Sequence, residues 1–473
     1  MPSPAPGLRS ELRALWRLAL PLALASAGQS LMGVVDTAVV GRASAAALAG
    51  TGLGNVLFFA VSVLGMGLMM GLDPLVSQSL GAGDPARARH LLWQGAWLSL
   101  AVGAVLALPL SFAPLALAPA GIDPDVAAQA SGFLWARLPG LPALLFFFGA
   151  RAYLQAAGLA RAVLWSAVLA NVVNLLLDLL LVFGGEALPA WCGPLRLVPA
   201  LGAAGSGIAS TTATLIQAAV LALAARLVPV EGSFRRRPVR SEMGAALRVG
   251  LPVGLHMGAE VGIFALVGFL AGRLGTVPLA AHQIAISLAS FSFNLAVGIA
   301  NAGSVRVGWA VGARDTGAAR RSGLTAFGAG AALMSAWGIA FLLFPGAFAR
   351  MMSDDALIVA AATPLLVVAG VFQISDGIQA VGAGVLRGAG DTRFTFLANM
   401  VGHWTIGLPA ALGLGLALGL GVTGLWWGLC AGLTAVAASL LLRFLRISSR
   451  EIVPIHLAPG RPAAPSPGEV AGP

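Results

Sequence analysis

Four carboxylates stand inside stretches otherwise suited to hydrocarbon: Asp36, Asp178, Glu260 and Asp376. An ionised acid at mid-bilayer costs about 2.5–3.5 kcal/mol on insertion scales, so such a group more often faces an internal cavity and carries function than faces lipid. In "NVVNLLLD", Asn171, Asn174 and Asp178 recur at i, i+3 and i+7, which is one face of a helix. Gln29 and Asp36 stand seven apart and share a face in the same way. Together the two faces can build a proton site or a set of oxygen ligands for a small hard cation. The competing reading is that they bond one another and only pin two helices. Glu260 lies in "GLHMGAEVGIFALVGFLAG", with His256 one turn before it. The pair can pass a proton; a neutral histidine bonded to backbone is the more ordinary alternative. Glu260 falls about 18 Å from the inner end of its helix at 1.5 Å per residue. No arginine is expected at that depth to explain it as a structural ion pair.

These acids need a scaffold, and the composition names its solvent. Of 473 residues, 58% are apolar and 10% charged, with a mean hydropathy of +0.90, far from ordinary soluble usage. Crossing about 30 Å of hydrocarbon takes roughly 20 helical residues. Twelve such runs follow one another with short basic or Gly/Pro-rich joints between them. The expected fold is therefore an all-α polytopic membrane protein of twelve transmembrane helices in two pseudo-symmetric six-helix lobes. Residues 1–13 form an N-terminal tail, 14–228 the first lobe, 229–246 a basic linker and 247–445 the second lobe. The Pro-rich stretch 446–473 has nothing to bury and is expected to be disordered. The first apolar run is too long for a signal peptide and is kept as a helix.

All 28 basic residues are arginine. Without lysine there is no Walker A loop and no Schiff base, and HExxH and GxSxG are absent too. The glycines of "GLGLALGLG" at 413–421 sit inside an apolar run, where they serve close helix packing better than nucleotide binding. The net charge of +10 follows the joints on one side of the membrane, notably "RRRPVR" at 235–240. Only Arg42, Arg196, Arg273 and Arg350 fall on the other side. That is the positive-inside bias: it places both termini in the cytoplasm and makes anionic lipid, not nucleic acid, the partner of the charge; the membrane expected is the inner (plasma) membrane. Asp73, which precedes Pro74, reads as structural, and Arg137 as a possible partner for a buried acid.

Shifted by 231 residues, the chain matches itself. "RLALP" at 17 meets "RVGLP" at 248, Gly67 meets Gly298, and "GAGDPARAR" at 81 meets "GARDTGAAR" at 312. Each copy carries six spans, an even number, so both enter the membrane in the same direction. Parallel repeats of this kind are a mark of secondary transporters. The shift also sets Gln29 opposite Glu260.

"VDTAVVGR", "SQSLGAGDPARAR", "AAHQIAISL", "RVGWAVGARD" and "DGIQAVGAGVLRGAGDTR", in this order across about residues 10–445, resemble the multidrug and toxic compound extrusion family. The resemblance implies two six-helix lobes and export of organic cations and amphipathic compounds, driven by entry of sodium ions or protons. It implies that Glu260 and Asp376 match the second-lobe acids of the NorM-type branch, which hold the coupling cation, sodium included, and that Gln283 lines the same cavity. Gln29, Asp36, Asn174 and Asp178 match the first-lobe cluster of the DinF-type branch, with Thr211 as its sixth-helix member. Asn171 and His256 join the cavity residues. Where the NorM-type pattern has tyrosine one turn before the tenth-helix acid, this chain has Phe372, a hydroxyl short for sodium.

The function expected is a secondary antiporter that alternates access between its lobes. It would use no cofactor beyond the coupling ion, take small organic substrates and work as a monomer. A flippase for lipid-linked glycans is the alternative, although such a cavity calls for several arginines. A membrane-embedded enzyme finds no catalytic motif to support it.

Overall fold

Apolar runs long enough to cross a bilayer must satisfy their own backbone groups, and in this chain they do so as helices. The computed structural model describes residues 7–186 and 190–455, and among these no strand occurs. In the first lobe, helix 1 covers Leu8–Val40, helix 2 Ala45–Gly81, helix 3 Pro85–Leu117, helix 5 Ala160–Phe183 and helix 6 Ala203–Arg226. In the second, helix 7 covers Arg240–Arg273, helix 8 Thr276–Gly312, helix 9 Thr316–Leu343, helix 10 Ala356–Ala389, helix 11 Thr392–Ala417 and helix 12 Gly421–Ile447. Helix 4 is not one continuous helix. It is a pair, Pro124–Arg137 and Gly140–Ala156, bent by 50° at Pro139, which has no N–H to continue the ladder.

The duplication seen in the sequence recurs in local chemistry. Asp84 caps helix 3 by accepting from the Arg87 amide at 2.8 Å, and Asp315 caps helix 9 by accepting from the Ala318 amide at 2.8 Å. Such a cap satisfies an orphan N–H of the first turn. Both residues of one pair lie 231 positions after those of the other.

The duplication also governs how the lobes meet. A Cβ placed on Gly67 of helix 2 would lie 2.2 Å from the Gly254 Cα of helix 7, and one on Gly298 of helix 8 would lie 2.6 Å from the Ala23 Cβ of helix 1. These two contacts are a single contact repeated by the shift. Where helices 2 and 8 cross, a Cβ on Gly308 would meet Ser77 Oγ at 2.0 Å. Those two positions are each other's repeat equivalents, so the pseudo-two-fold axis passes between them.

Every interlobe approach that has no room for a Cβ lies in the arginine-rich, or inner, half of the helices. Ion pairs close the same end. Arg306 of helix 8 pairs with Glu11 of helix 1, and Arg387 of helix 10 pairs with Asp73 of helix 2 at 2.9 Å, which bears out the structural reading of Asp73. The Trp309 indole of helix 8 donates to the Ala156 carbonyl at 3.0 Å. Among the described residues, the outermost hydrogen bond between the lobes runs from Asn294 Nδ2 to Ser30 Oγ at 3.2 Å. The lobes are thus joined at the inner end and unconnected by polar contacts at the outer end.

A testable consequence falls on Gly67. Because the atoms it would strike are backbone, Gly67→Val cannot be relieved by a rotamer change, and the variant is expected to hold the inner ends apart. Spin labels on the inner ends of helices 2 and 8 should then report a longer distance than in the parent protein. An unchanged distance would show that the seam yields.

Two joints are more ordered than the sequence suggests. The basic linker lies on helix 3: Gln94 Nε2 donates to the Arg237 carbonyl at 3.0 Å, Trp97 Nε1 donates to Arg236 at 2.7 Å, and the Val239 amide donates to Gln94 Oε1 at 2.7 Å. The expectation of disorder over 446–473 is corrected at its start. Helix 12 continues to Ile447, and Ile452 and Ile455 are buried, with the Ile455 amide donating to Gln78 Oε1 at 2.9 Å. These two apolar side chains had a surface to cover that composition did not reveal. Residues 456–473 lie outside the described residues.

Candidate functional site

The first-lobe cluster forms where helices 1, 5 and 6 pack together. Asn174 and Asp178, one turn apart on helix 5, are both fully buried. The Asp178 carboxyl lies against the carboxyl of Asp36 and the hydroxyl of Ser206, and Ser210 Oγ donates to Asp36 Oδ2 at 2.9 Å. Ser206 and Ser210 are four apart on helix 6 and so present to the same side. Buried polar atoms are normally satisfied. Here Asp36 Oδ1, both Asp178 oxygens, both side-chain polar atoms of Asn174 and Ser206 Oγ have no hydrogen-bond partner. Oxygens gathered around two neighbouring carboxyls suit either a shared proton or a hard cation.

Of the residues expected in this cluster, the structure brings Asp36, Asn174 and Asp178 together and leaves others apart. Thr211 is turned away: its hydroxyl donates to the Ala136 carbonyl at 2.8 Å, bracing helix 6 against the bend of helix 4. Its neighbour Ser210 occupies the expected position instead, because one residue along a helix is a rotation of about 100°. Asn171 spends its amide on the Ala167 carbonyl of its own helix at 2.8 Å. Gln29, two turns inward of Asp36, lines a separate small cavity with Arg151 and Gln155. Arg137 is not ion-paired, but its charge acts on Asp36 and its guanidinium lies 4.3 Å from the Phe58 ring centroid.

The second-lobe cluster is built by helices 7, 10 and 11. On helix 7 the i, i+4 spacing brings His256 Nε2 within 3.1 Å of Glu260 Oε2. The carboxylate bond, not a backbone bond, is therefore the correct reading of His256. Helix 10 contributes Asp376 and, one turn on, Gln379, whose Nε2 donates to Glu260 Oε1 at 3.3 Å. Asp376 is buried and close enough to Glu260 for the two charges to interact. Helix 11 contributes Asn399 and His403, both fully buried and with every side-chain polar atom unpartnered. Glu260 and His256 are the charged groups that act on His403.

Helix 11 widens into a π-helix over Met400–Gly407. Such segments occur often at functional sites, and this one ends just before Pro409, which cannot donate to the preceding turn. It also presses close to helix 12, where a Cβ on Gly402 would meet Val436 Cγ2 at 2.3 Å. Further along, the glycine run at 413–421 packs against helix 12 in the same way, Gly415 against Leu425.

Gln283 is exposed on helix 8 and takes no part in the hydrogen bonds around Glu260. Its neighbour His282 turns inward, accepting from the Trp426 indole at 3.1 Å. Phe372, where a hydroxyl would aid sodium, is buried with its ring centroid 5.6 Å from that of Trp426. Both Glu260 oxygens already face nitrogen donors. Among the described residues, no group of three or more His, Cys, Asp or Glu is arranged to hold a metal ion. The sequence missed Gln379, Asn399, His403, Ser206 and Ser210. Gln379 stands three after Asp376, and Asn399 and His403 are a polar i, i+4 pair inside an apolar run, so both signals were there to find. The serines carried none.

Two like-directed six-helix lobes, joined at one end and each holding acids that no arginine neutralises, define a membrane transporter of the parallel-repeat class. A family model described as MatE matches residues 21–180 and 252–412, one stretch in each lobe. The chain is 39% identical over 448 residues to the multidrug resistance protein NorM of Burkholderia vietnamiensis, covering 92% of this chain and 94% of that one. It is 37% identical over 456 residues to the probable multidrug resistance protein NorM of Deinococcus radiodurans, covering 94% and 97%. The fold is shared with the eukaryotic MATE transporter AtDTX14 (TM-score 0.80, 22% identity, 93% of this chain and 96% of that one). It is also shared with a MOP superfamily transporter from Pyrococcus furiosus (TM-score 0.83, 19% identity, 93% and 96%). The chain belongs to the MatE family of multidrug transporters.

Proposed function

We propose that this protein is a secondary active efflux antiporter, which exports organic cations and other amphipathic compounds in exchange for sodium ions or protons. The observation that carries the reading is the pair of acid clusters, one in each lobe, in each of which several buried polar atoms lack partners, while the ion pairs between the lobes lie at their inner ends. With the arginine-rich end in the cytoplasm of a plasma-membrane protein, this is an outward-open arrangement. A cation entering a cluster supplies the missing partner. It drives the exchange only if its affinity differs between the outward-open and inward-open states. The oxygen-rich cluster of Asp36 and Asp178 suits a cation or a shared proton, and the imidazole-rich surroundings of Glu260 suit a proton.

The test is efflux of a fluorescent cationic dye from vesicles containing the full chain, under imposed sodium or proton gradients. Efflux should accelerate under at least one gradient and stop when that gradient is collapsed by an ionophore. Dye movement that ignores both gradients would overturn the antiport reading, and chemical alteration of the dye would point to an enzyme.

A further inference from the structure

We propose that the seam between the lobes contains a binding site for one small monovalent anion of halide size, held by Arg151 and Gln155 of helix 4 and Asn301 of helix 8. The site lies apart from both acid clusters, toward the inner ends of the helices. There a cavity of about 10 Å³ is lined by Ser26, Gln29, Phe147, Arg151, Gln155 and Asn301, room for one body the size of a water molecule. Arg151 is 7% exposed and Gln155 2%, and Arg151 Nε and Gln155 Nε2 are buried donors without a partner. Asn301 accepts from Arg387 Nη2 through its amide oxygen at 2.9 Å, which leaves only its NH2 group to offer a ligand.

The charges require a counter-ion. Arg387 is paired with Asp73 at 2.9 Å, and the charges that act on Arg151 are those of Asp73 and Arg387. That carboxylate is committed to Arg387, Arg151 has no ion pair of its own among the described residues, and one positive charge remains. Other buried cations can escape by losing a proton, but arginine stays protonated in proteins. The Phe148 ring, with its centroid 4.6 Å from the Arg151 guanidinium, offsets only part of a full charge. Water can fill the space but cannot neutralise it; a single-atom anion does both, and a sulfate is too large.

Because the donors come from both lobes, an anion here ties the lobes together at the inner seam. By mass action it stabilises the state in which that seam is closed.

Two measurements on the full-length protein test the site. Chloride is titrated into detergent-solubilised protein at constant ionic strength, with gluconate as the replaced anion. The melting temperature should rise with the logarithm of chloride concentration above the dissociation constant, by on the order of 2–4 °C over the titration, and Arg151→Gln and Gln155→Leu should each flatten the response. Crystals grown in bromide should show an anomalous peak at hydrogen-bond distance from Arg151 and Gln155. A flat response in the parent protein, or a cavity holding water only in bromide, would overturn the proposal. If Arg151→Gln does not fold, Gln155→Leu and the bromide experiment still decide it.

Discussion

Glu260→Gln and Asp376→Asn are each expected to abolish gradient-driven efflux while leaving a folded protein. The substitutions keep shape and remove charge. At residue 260, a glutamine oxygen can still accept from Gln379 Nε2, whose bond to Glu260 is 3.3 Å, and its NH2 group can donate to a neutral His256, now at 3.1 Å. Local packing should therefore survive. The negative charge that makes the cluster attract a cation does not. Removing one member of a buried charge pair commonly costs 2–5 kcal/mol, so affinity for the driving cation should fall by about two orders of magnitude or more. Equilibrium dye binding, measured beside efflux, separates coupling from folding. The expected pattern is retained binding with lost gradient response. Full efflux in both variants would move the coupling site to Asp36 and Asp178, where Asp36→Asn and Asp178→Asn make the same comparison.

The second large effect is expected at Asp73→Asn. Asp73 and Arg387 are both about 7% exposed and belong to opposite lobes, so their ion pair exists only while the inner ends are together. Removing the carboxylate leaves Arg387 buried without its counter-charge. Breaking a buried pair from one side typically costs 3–5 kcal/mol. A two-state equilibrium moved by about 3 kcal/mol changes its ratio by roughly a hundredfold, enough to depopulate the closed inner seam. Spin-label distances across the inner ends should lengthen, and the double variant Asp73→Asn with Arg387→Gln should recover part of the loss. A closed seam in Asp73→Asn would mean that the glycine contacts of helices 2, 7 and 8 hold the lobes without the ion pair.

Periodicity and cost made much of this architecture readable in advance. Helices 5 and 7 announced their polar faces because a helix repeats every 3.6 residues, and Asn174 with Asp178, or His256 with Glu260, fell on one side each. The 231-residue shift revealed the two lobes, and the glycines it matched, Gly67 and Gly298, proved to be equivalent contacts across the seam. What escaped were azimuths and partners. Thr211 and Ser210 are adjacent hydroxyls on helix 6, and only the packing of helices 4 and 1 decides which reaches Ala136 and which reaches Asp36. Gln283 and His282 are neighbours of the same kind: His282 turns to the Trp426 indole, and Gln283 is exposed on another face of helix 8. His403 lies in a π-helical segment; its i, i+4 spacing from Asn399 was legible, but the groups it faces across helices were not.

The amino-acid order alone determined that the chain spans a bilayer, that it is doubled in parallel, and that four acids fall within membrane-spanning helices, where the cost of burying charge points them to the protein interior. Tertiary structure alone decided which groups surround each acid, which end of the lobes is closed, and that Arg387 meets Asp73 while Arg151 is left without an ion pair. Those facts depend on contacts between helices hundreds of residues apart, such as Asp73 with Arg387, and a local sequence pattern has no term for them.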